Sequence, residues 1–468
     1  MRAALLIDFG STYTKLRAID LERARLLGTG QGPSTVTSDV MIGVRASLAD
    51  LERRLGELPR FEHRLASSSA AGGLRMVTVG LVRELTAEAA RRAALGAGAK
   101  LVGTFAYRLT PEDVQRIVAL APDILLLAGG TDGGNQDVIL HNAKVLGQSE
   151  LACPIVLAGN RNAVDGARTA LADKELIVTD NVMPEFDILN IEPARAAIRQ
   201  VFIDRIVHAK GIDRARDEFD AVLMPTPAAV LEGARLLADG YGSLAGLGSV
   251  LVVDPGGATT DVHSIADHTA ATGVVMQGLP EPREKRTVEG DLGMRHNAAN
   301  IVEAAGSESI ARDAGLDARG VKELVQRLHA DVERLPQGRE EIALDRALAR
   351  AAVRVAVQRH CGTLTTVYTP TGPVSVQHGK DLSHVAAVIG TGGALVHSSA
   401  PRAVLAMALA DDANPTSLRP RAPRLLLDRD YLLYACGLLA AVAPEAALKL
   451  ALANLQPMED LVERPALA

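Results

Sequence analysis

Two short stretches carry residue types suited to holding a metal-bound polyphosphate. The first is Leu5-Leu-Ile-Asp8-Phe-Gly10-Ser11-Thr12-Tyr13-Thr14-Lys15. The second is Ser249-Val-Leu-Val-Val-Asp254-Pro-Gly256-Gly257-Ala-Thr259-Thr260-Asp261-Val. Each reads as a buried strand that runs into a glycine-rich hairpin, with an aspartate at the turn. Glycine lets the backbone pass closely beneath phosphate oxygens, and the amides and hydroxyls beside it can donate to them. A carboxylate at the carboxyl end of a strand can hold Mg2+ or its water shell. In the first stretch Asp8 is the metal candidate, and Gly10, Ser11, Thr12 and Lys15 are the phosphate candidates. In the second, Asp254 is the metal candidate, and Gly256, Gly257, Thr259 and Thr260 face phosphate. Asp261 would orient or deprotonate an attacking water, so Asp8, Asp254 and Asp261 form the catalytic set. A hairpin with a capping aspartate explains the first loop equally well. A turn alone does not ask for aspartate at both ends of the second.

A third glycine cluster, Val388-Ile-Gly390-Thr391-Gly392-Gly393-Ala-Leu395, again follows an apolar run. Missing side chains at Gly390, Gly392 and Gly393 would let a flat purine and its ribose lie against the backbone. A plain strand-to-helix turn remains an equal reading of that piece alone.

The elements that must carry these loops are legible in outline. Aromatic residues make up 3% of the chain and there is no Trp, so the core is aliphatic. Short apolar runs at 3–7, 124–128, 155–158, 250–253 and 385–389 alternate with amphipathic stretches at 79–95, 111–120 and 161–172. That pattern predicts an α/β fold with parallel strands covered on both faces. A chain of 468 residues exceeds a single core, so at least two lobes are expected. We assign 1–247 to a first lobe with the first phosphate loop, and 248–400 to a second with the other two loops. Residues 401–468 form a linker and helices that pack back on the first lobe. Residues 225–238 read as a helix with proline near its first turn, 296–358 as mostly helical, and 431–443 as an apolar helix followed by another to about 453.

Charge and cysteine content narrow the function. A net charge of -6 gives no basic field for nucleic acid or an anionic membrane. Cys153, Cys361 and Cys436 are too dispersed for a disulfide framework or a metal knuckle, which fits a reducing compartment. No apolar run reaches the roughly 18 residues of a membrane span, and Asp8 interrupts any leader-like start. The expected location is the cytoplasm, with neither nucleic acid nor membrane as partner.

In their order, the three loops resemble the superfamily of actin, sugar kinases and heat-shock ATPases. The resemblance implies a two-lobed actin-like fold of duplicated ribonuclease H-like domains, with a nucleotide cleft between lobes and ATP and Mg2+ as cofactors. Where the chaperones place a metal-shell glutamate before the second loop, this chain has Thr226. Further stretches make the resemblance closer. They are Ser67-Ser-Ser-Ala-Ala-Gly-Gly-Leu-Arg-Met, Leu126-Leu-Ala-Gly-Gly-Thr131-Asp132-Gly-Gly-Asn135, Val156-Leu-Ala-Gly-Asn160, Glu289-Gly-Asp291-Leu-Gly-Met-Arg295, His378-Gly-Lys380-Asp381-Leu and Asp428-Arg-Asp-Tyr-Leu-Leu-Tyr. Over nearly the whole chain these are similar to the glutamate mutase-associated MutL (GlmL) family, which is distinct from the mismatch-repair protein of that name.

That likeness implies a slowly hydrolysing ATPase that reactivates an adenosylcobalamin-dependent mutase, its protein partner, by exchanging damaged cobalamin. A small-molecule kinase of the same fold and a non-catalytic, nucleotide-gated scaffold are the alternatives. Asp261-Val-His263 begins like a cobalamin-ligating D-x-H-x-x-G, but Ala266 stands at the glycine position, so His263 reads as an ordinary strand histidine. No P-loop motif is present. The absence of clustered cysteines argues against an iron–sulfur dehydratase activator. For residues 131–135 a Gly-rich turn with an Asx cap competes with a ligand loop. Glu289, Asp291, Arg295, Lys380 and Asp381 read either as nucleotide contacts or as ordinary loop residues.

Overall fold

A computed structural model describes residues 2–10, 13–33, 35, 40–68, 74–209, 221–267, 273–332, 334–370 and 372–459. The chain divides into two compact units. Unit 1 is Met1–Glu232 with short returns at Gly278–Pro280 and Gly437–Ala447; unit 2 is Gly233–Gln277, Glu281–Cys436 and Leu448–Ala468.

Unit 1 opens with an antiparallel meander, β1 (Ala3–Phe9), β2 (Tyr13–Asp20) and β3 (Arg25–Pro33). Every residue of β1 is buried, which is why its sequence is a continuous apolar run broken only by Asp8. β4 (Phe61–Ser68) lies parallel to β1 on its other side. Next comes a second, wholly parallel sheet of β5 (Arg75–Gly80), β6 (Lys100–Ala106), β7 (Ile124–Leu127), β8 (Ile155–Leu157) and β9 (Leu176–Val178), ordered β6-β5-β7-β8-β9. In chain order that is the doubly wound arrangement 2-1-3-4-5. The chain then returns to the first sheet as β10 (Ala221–Pro225), giving β10-β4-β1-β2-β3.

Strand alternation divides β7 between two cores. Ile124 and Leu126 join the cluster containing Ile7, Phe9 and Leu16 of the first sheet. Leu125 and Leu127 face the opposite way, onto Ile117, Ile139 and Leu146 of the helices Pro111–Ala119 and Asp137–Gly147.

Unit 2 begins with a small hairpin, β11 (Gly240–Tyr241) and β12 (Leu244–Ala245). Its main sheet starts with β13 (Val250–Pro255) and β14 (Thr260–Ile265). β15 (Val274–Gln277) stands apart, and β16 (Glu284–Glu289) completes a meander against β14. After a helical block come β17 (Thr363–Thr369) and β18 (Gly372–His378), which join β15 in a three-stranded sheet. β19 (Ala387–Gly390), β20 (Arg424–Asp428) and β21 (Leu455–Pro457) finish the main sheet, ordered β16-β14-β13-β19-β20-β21. β19 runs parallel to β13, and β20 parallel to β19. The helix Gly338–His360 seats Leu344, Leu348, Val353 and Val357 in one core with Leu251, Val253 and Val262.

Strand order thus repeats. β3-β2-β1-β4-β10 and β16-β14-β13-β19-β20 are each three antiparallel strands followed by two parallel ones, the ribonuclease H-like arrangement.

Two sequence expectations are corrected. The stretch 79–95 is not one helix: Val79 and Gly80 end β5, a π-helical turn occupies Arg83–Ala87, and the α-helix is Glu88–Gly96. The Thr86 hydroxyl accepts from the amides of Leu81 and Val82, fixing the break. The apolar stretch 431–443 is helical only over Leu433–Leu439, because Asp428 accepts the amides of Leu432 and Leu433 and sets the helix start. A separate helix, Pro444–Asn454, follows.

Cys153, Cys361 and Cys436 are all buried free thiols. Among the described residues, no helix is long and apolar enough to cross a membrane.

Candidate nucleotide site

The two hairpins share one register. Phe9 pairs with Thr14 and Pro255 with Thr260, so each turn spans four residues. The Gly10 amide donates to the Tyr13 carbonyl at 3.0 Å, and the Gly256 amide donates to the Thr259 carbonyl at 2.8 Å. Glycine is demanded at Gly10, where a Cβ would sit 2.6 Å from the Tyr13 oxygen. Ser11 and Thr12 lie outside the described residues.

In unit 1 the carboxylate of Asp8 is only 3% exposed. The hydroxyl of Thr226, the first residue of the helix Thr226–Asp239, donates to Asp8 Oδ1 at 2.7 Å and lies 3.1 Å from Ser67 Oγ. Burial lifts the Asp8 carboxyl above its ordinary range, opposed by the charge of Lys15 directly across the ladder and by the Thr226 hydrogen bond. Thr226 is therefore a partner of the first loop's aspartate.

In unit 2 the residue opposite Asp254 is Asp261, so two carboxylates face each other across β13 and β14. Arg286 on β16 answers that charge, donating to Asp261 Oδ1 from Nη2 at 2.6 Å and from Nε at 3.0 Å. Thr259 Oγ1 donates to the other Asp261 oxygen at 2.9 Å. Thr260 is fully buried and its hydroxyl donates to the Leu292 carbonyl, which turns it away from any ligand.

Gly392 has φ +84, and a Cβ there would fall 2.1 Å from Asp254 Oδ1. The missing side chain thus makes room for a carboxylate of the same unit. Gly390 is packed beneath, against Leu395 and Leu405. The loop is anchored by Thr391, whose hydroxyl donates to Asp428 Oδ2 at 2.8 Å. Asp428 is buried, which pushes its carboxyl up, while Thr391 and the amides of Leu432 and Leu433 favour the charged form.

Between these pieces unit 2 encloses a pocket of about 480 Å³. Pro255, Gly256 and Gly257 line one part of it, and Gly393, Ala394 and His397 another. Leu335, Pro336 and Ile342 add an apolar wall, and Arg295 and Arg346 bring cations. Arg295 is fixed by an ion pair with Asp345, and its amide donates to the Gly257 carbonyl. Apolar walls with a few oriented polar groups suit a nucleobase and ribose. The arginines on 295 and 346 and the apolar residues at 335–342 had little signal in sequence beyond the suggestion at Arg295.

Other candidates are absorbed by the structure. Arg359 pairs with Glu289 and Asp291. Buried Lys380 donates to the carbonyls of Pro282 and Arg283, and Asp381 accepts from Ser383. Burial depresses Lys380 to about 7. His263 is buried in β14 and held neutral, its pKa driven down to about 3. In the 131–135 loop, Asn135 accepts the Val138 amide and Asp132 accepts from the Arg161 amide and Asn181. Asp132 and Asn135 thus tie the loop to neighbouring segments of unit 1.

Two ribonuclease H-like sheets in one chain, each with an Asp-x-Gly hairpin between its first two strands, define an actin-like ATPase fold. The family model described as MutL protein matches residues 4–455. The chain is also 46% identical over 455 residues to Protein MutL of Clostridium tetanomorphum, covering 96% of this chain and 98% of that one. It belongs to the MutL protein family.

Solved structures similar to the chain include nucleotide-free acetone carboxylase (TM-score 0.41, 13% identity, 94% of this chain and 70% of that one). They also include the activator of the 2-hydroxyisocaproyl-CoA dehydratase from Clostridium difficile with bound ADPNP (TM-score 0.31, 10% identity, 95% of each). A third is glycerol dehydratase reactivase (TM-score 0.32, 11% identity, 94% and 99%). The fold assignment rests on the strand order itself.

Proposed function

We propose that this MutL-family protein binds MgATP, hydrolyses it slowly, and uses the cycle to reactivate an adenosylcobalamin-dependent mutase. The observation that carries the nucleotide part is the 480 Å³ pocket in unit 2, which unites the 255–257 turn with the 393–394 loop. The donor set fits a hydrated Mg2+, which takes one or two carboxylates and leaves the rest to water and phosphate. Among the described residues no cluster of three or more His, Cys, Asp or Glu forms a dedicated metal cage.

MgATP would supply the reactive γ-phosphoryl group and its charge-neutralising metal. Asp254 would hold the metal's water shell in unit 2, Asp8 being the corresponding carboxylate of unit 1, and the amides of 257–259 would donate to phosphate oxygens. Asp261, oriented by Arg286 and Thr259, would position the attacking water. An aspartate held in an ion pair is a weak base, so positioning and electrostatics would supply most of the acceleration and turnover would be slow. Loss of the γ-phosphate would remove the contacts that hold the loops, and a bound mutase would sense the change.

The mutase partner rests on the family resemblance, and the cytoplasm on the chain's composition. The test is copurification with a cobalamin mutase, followed by addition of ATP to the inactivated complex. Recovery of mutase activity with ATP, and none with a non-hydrolysable analogue, is the expected result. Turnover that starts only when a small metabolite is added would instead favour a kinase. Nucleotide binding without any phosphate release would favour a gated scaffold.

A further inference from the structure

The doubly wound sheet of unit 1 ends in a strand with one side unpaired. Among the described residues β6 pairs with β5 and has no second neighbour in the sheet order β6-β5-β7-β8-β9. It is seven residues long, and six of them are half-buried. An edge of that length, without proline and without a covering strand among the described residues, is a template for another extended chain.

A groove of about 490 Å³ runs along this strand, formed by the five consecutive residues 102–106 and by the 113–120 side of the neighbouring helix. The Tyr107 amide donates to the Gly80 carbonyl of β5. By two-residue alternation, the amides and carbonyls of Thr104 and Ala106 point outward, along the groove. Exposed Tyr107 stands at the strand's end, at 53% exposure.

The groove is also charged. Arg83 and Arg116 line it, both exposed, and neither guanidinium has a carboxylate partner among the described residues. Arg116 lies 5.7 Å from the centre of the Phe105 ring, which holds it over the strand. The one acidic lining residue, Asp113, is occupied by the amide and hydroxyl of Thr110 in a helix cap. Unpaired backbone groups beside two free cations suit one occupant: an extended segment bearing acidic side chains.

The geometry points to β6 as a docking edge for an acidic, extended peptide segment of a partner protein, which adds a sixth strand to this sheet. Backbone pairing supplies the affinity and the two arginines select the charge. The inference is independent of nucleotide binding.

The test uses the full-length protein and a fluorescein-labelled octapeptide of alternating valine and glutamate, followed by fluorescence anisotropy. Saturable binding is expected, with the valine–lysine counterpart at least about tenfold weaker. Combined Arg83→Glu and Arg116→Glu should weaken the acidic peptide by about tenfold or more. Two further versions, N-methylated on every glutamate or on every valine, need no change in the protein. Only one edge of an added strand pairs, so one version should lose binding and the other keep it. No saturable binding, equal binding of the lysine peptide, or equal loss in both methylated versions would each overturn the assignment.

Discussion

The two Asp-x-Gly hairpins share strand order, turn length and glycine hydrogen bond, yet they neutralise their aspartates by different means. Asp8 is buried and faces Lys15 across its ladder, with the Thr226 hydroxyl on its carboxylate. Asp254 faces a second carboxylate, Asp261, and the balancing cation comes from the next strand as Arg286. One duplicated scaffold therefore carries two electrostatic designs. Burial governs the first, and a charge network governs the second.

The sharpest way to break the comparison is to remove each carboxylate alone. Asp8→Asn and Asp254→Asn should each lower the rate of phosphate release from ATP by about 100-fold or more. A variant that keeps full turnover would show that its hairpin serves structure only. The next largest effect tests the charge network. Arg286→Met leaves half-buried Asp261 opposite Asp254 without this cation, which should cost roughly 1–3 kcal/mol in urea unfolding of unit 2. Adding Asp261→Asn should restore much of that loss, whereas in the first hairpin no such rescue exists to be found.

A smaller effect of opposite sign distinguishes burial. Because the Asp8 carboxyl is raised in the folded state, its contribution to stability is present below its unfolded value and is lost as pH rises through the folded one. Asp8→Asn should therefore stabilise unit 1 at neutral pH even as it lowers turnover. Thermal melts at pH 4 and pH 7 should show the gain only at the higher pH. Smallest is Thr226→Val, which removes one hydrogen bond to the carboxylate, at about 1 kcal/mol. It should also move the acidic limb of the ATP turnover profile to higher pH.

Sequence reveals the scaffold better than the site. The runs at 3–7, 124–128 and 250–253 announce β1, β7 and β13 because strands buried on both faces must be continuously apolar. Aspartate and glycine at matching spacings announce the hairpins. Partners set by tertiary register are silent in sequence: nothing about Arg286 or Thr226 signals which carboxylate it will meet until β16 and the 226–239 helix are placed. The same holds for Lys380, whose motif suggests a ligand contact but whose amine ends on two backbone carbonyls. The 2-1-3-4-5 strand order is equally silent in sequence, since short parallel strands carry no mark of their neighbours.

The three buried thiols offer a use that has nothing to do with chemistry at the site. Cys153 sits in the core under the doubly wound sheet, whereas Cys361 and Cys436 lie in unit 2. Each is shut off from solvent, so an alkylating reagent reaches it only through local opening. Mass-spectrometric tracking of adducts at the three positions would time the loosening of separate regions, with and without nucleotide, in an unlabelled wild-type chain.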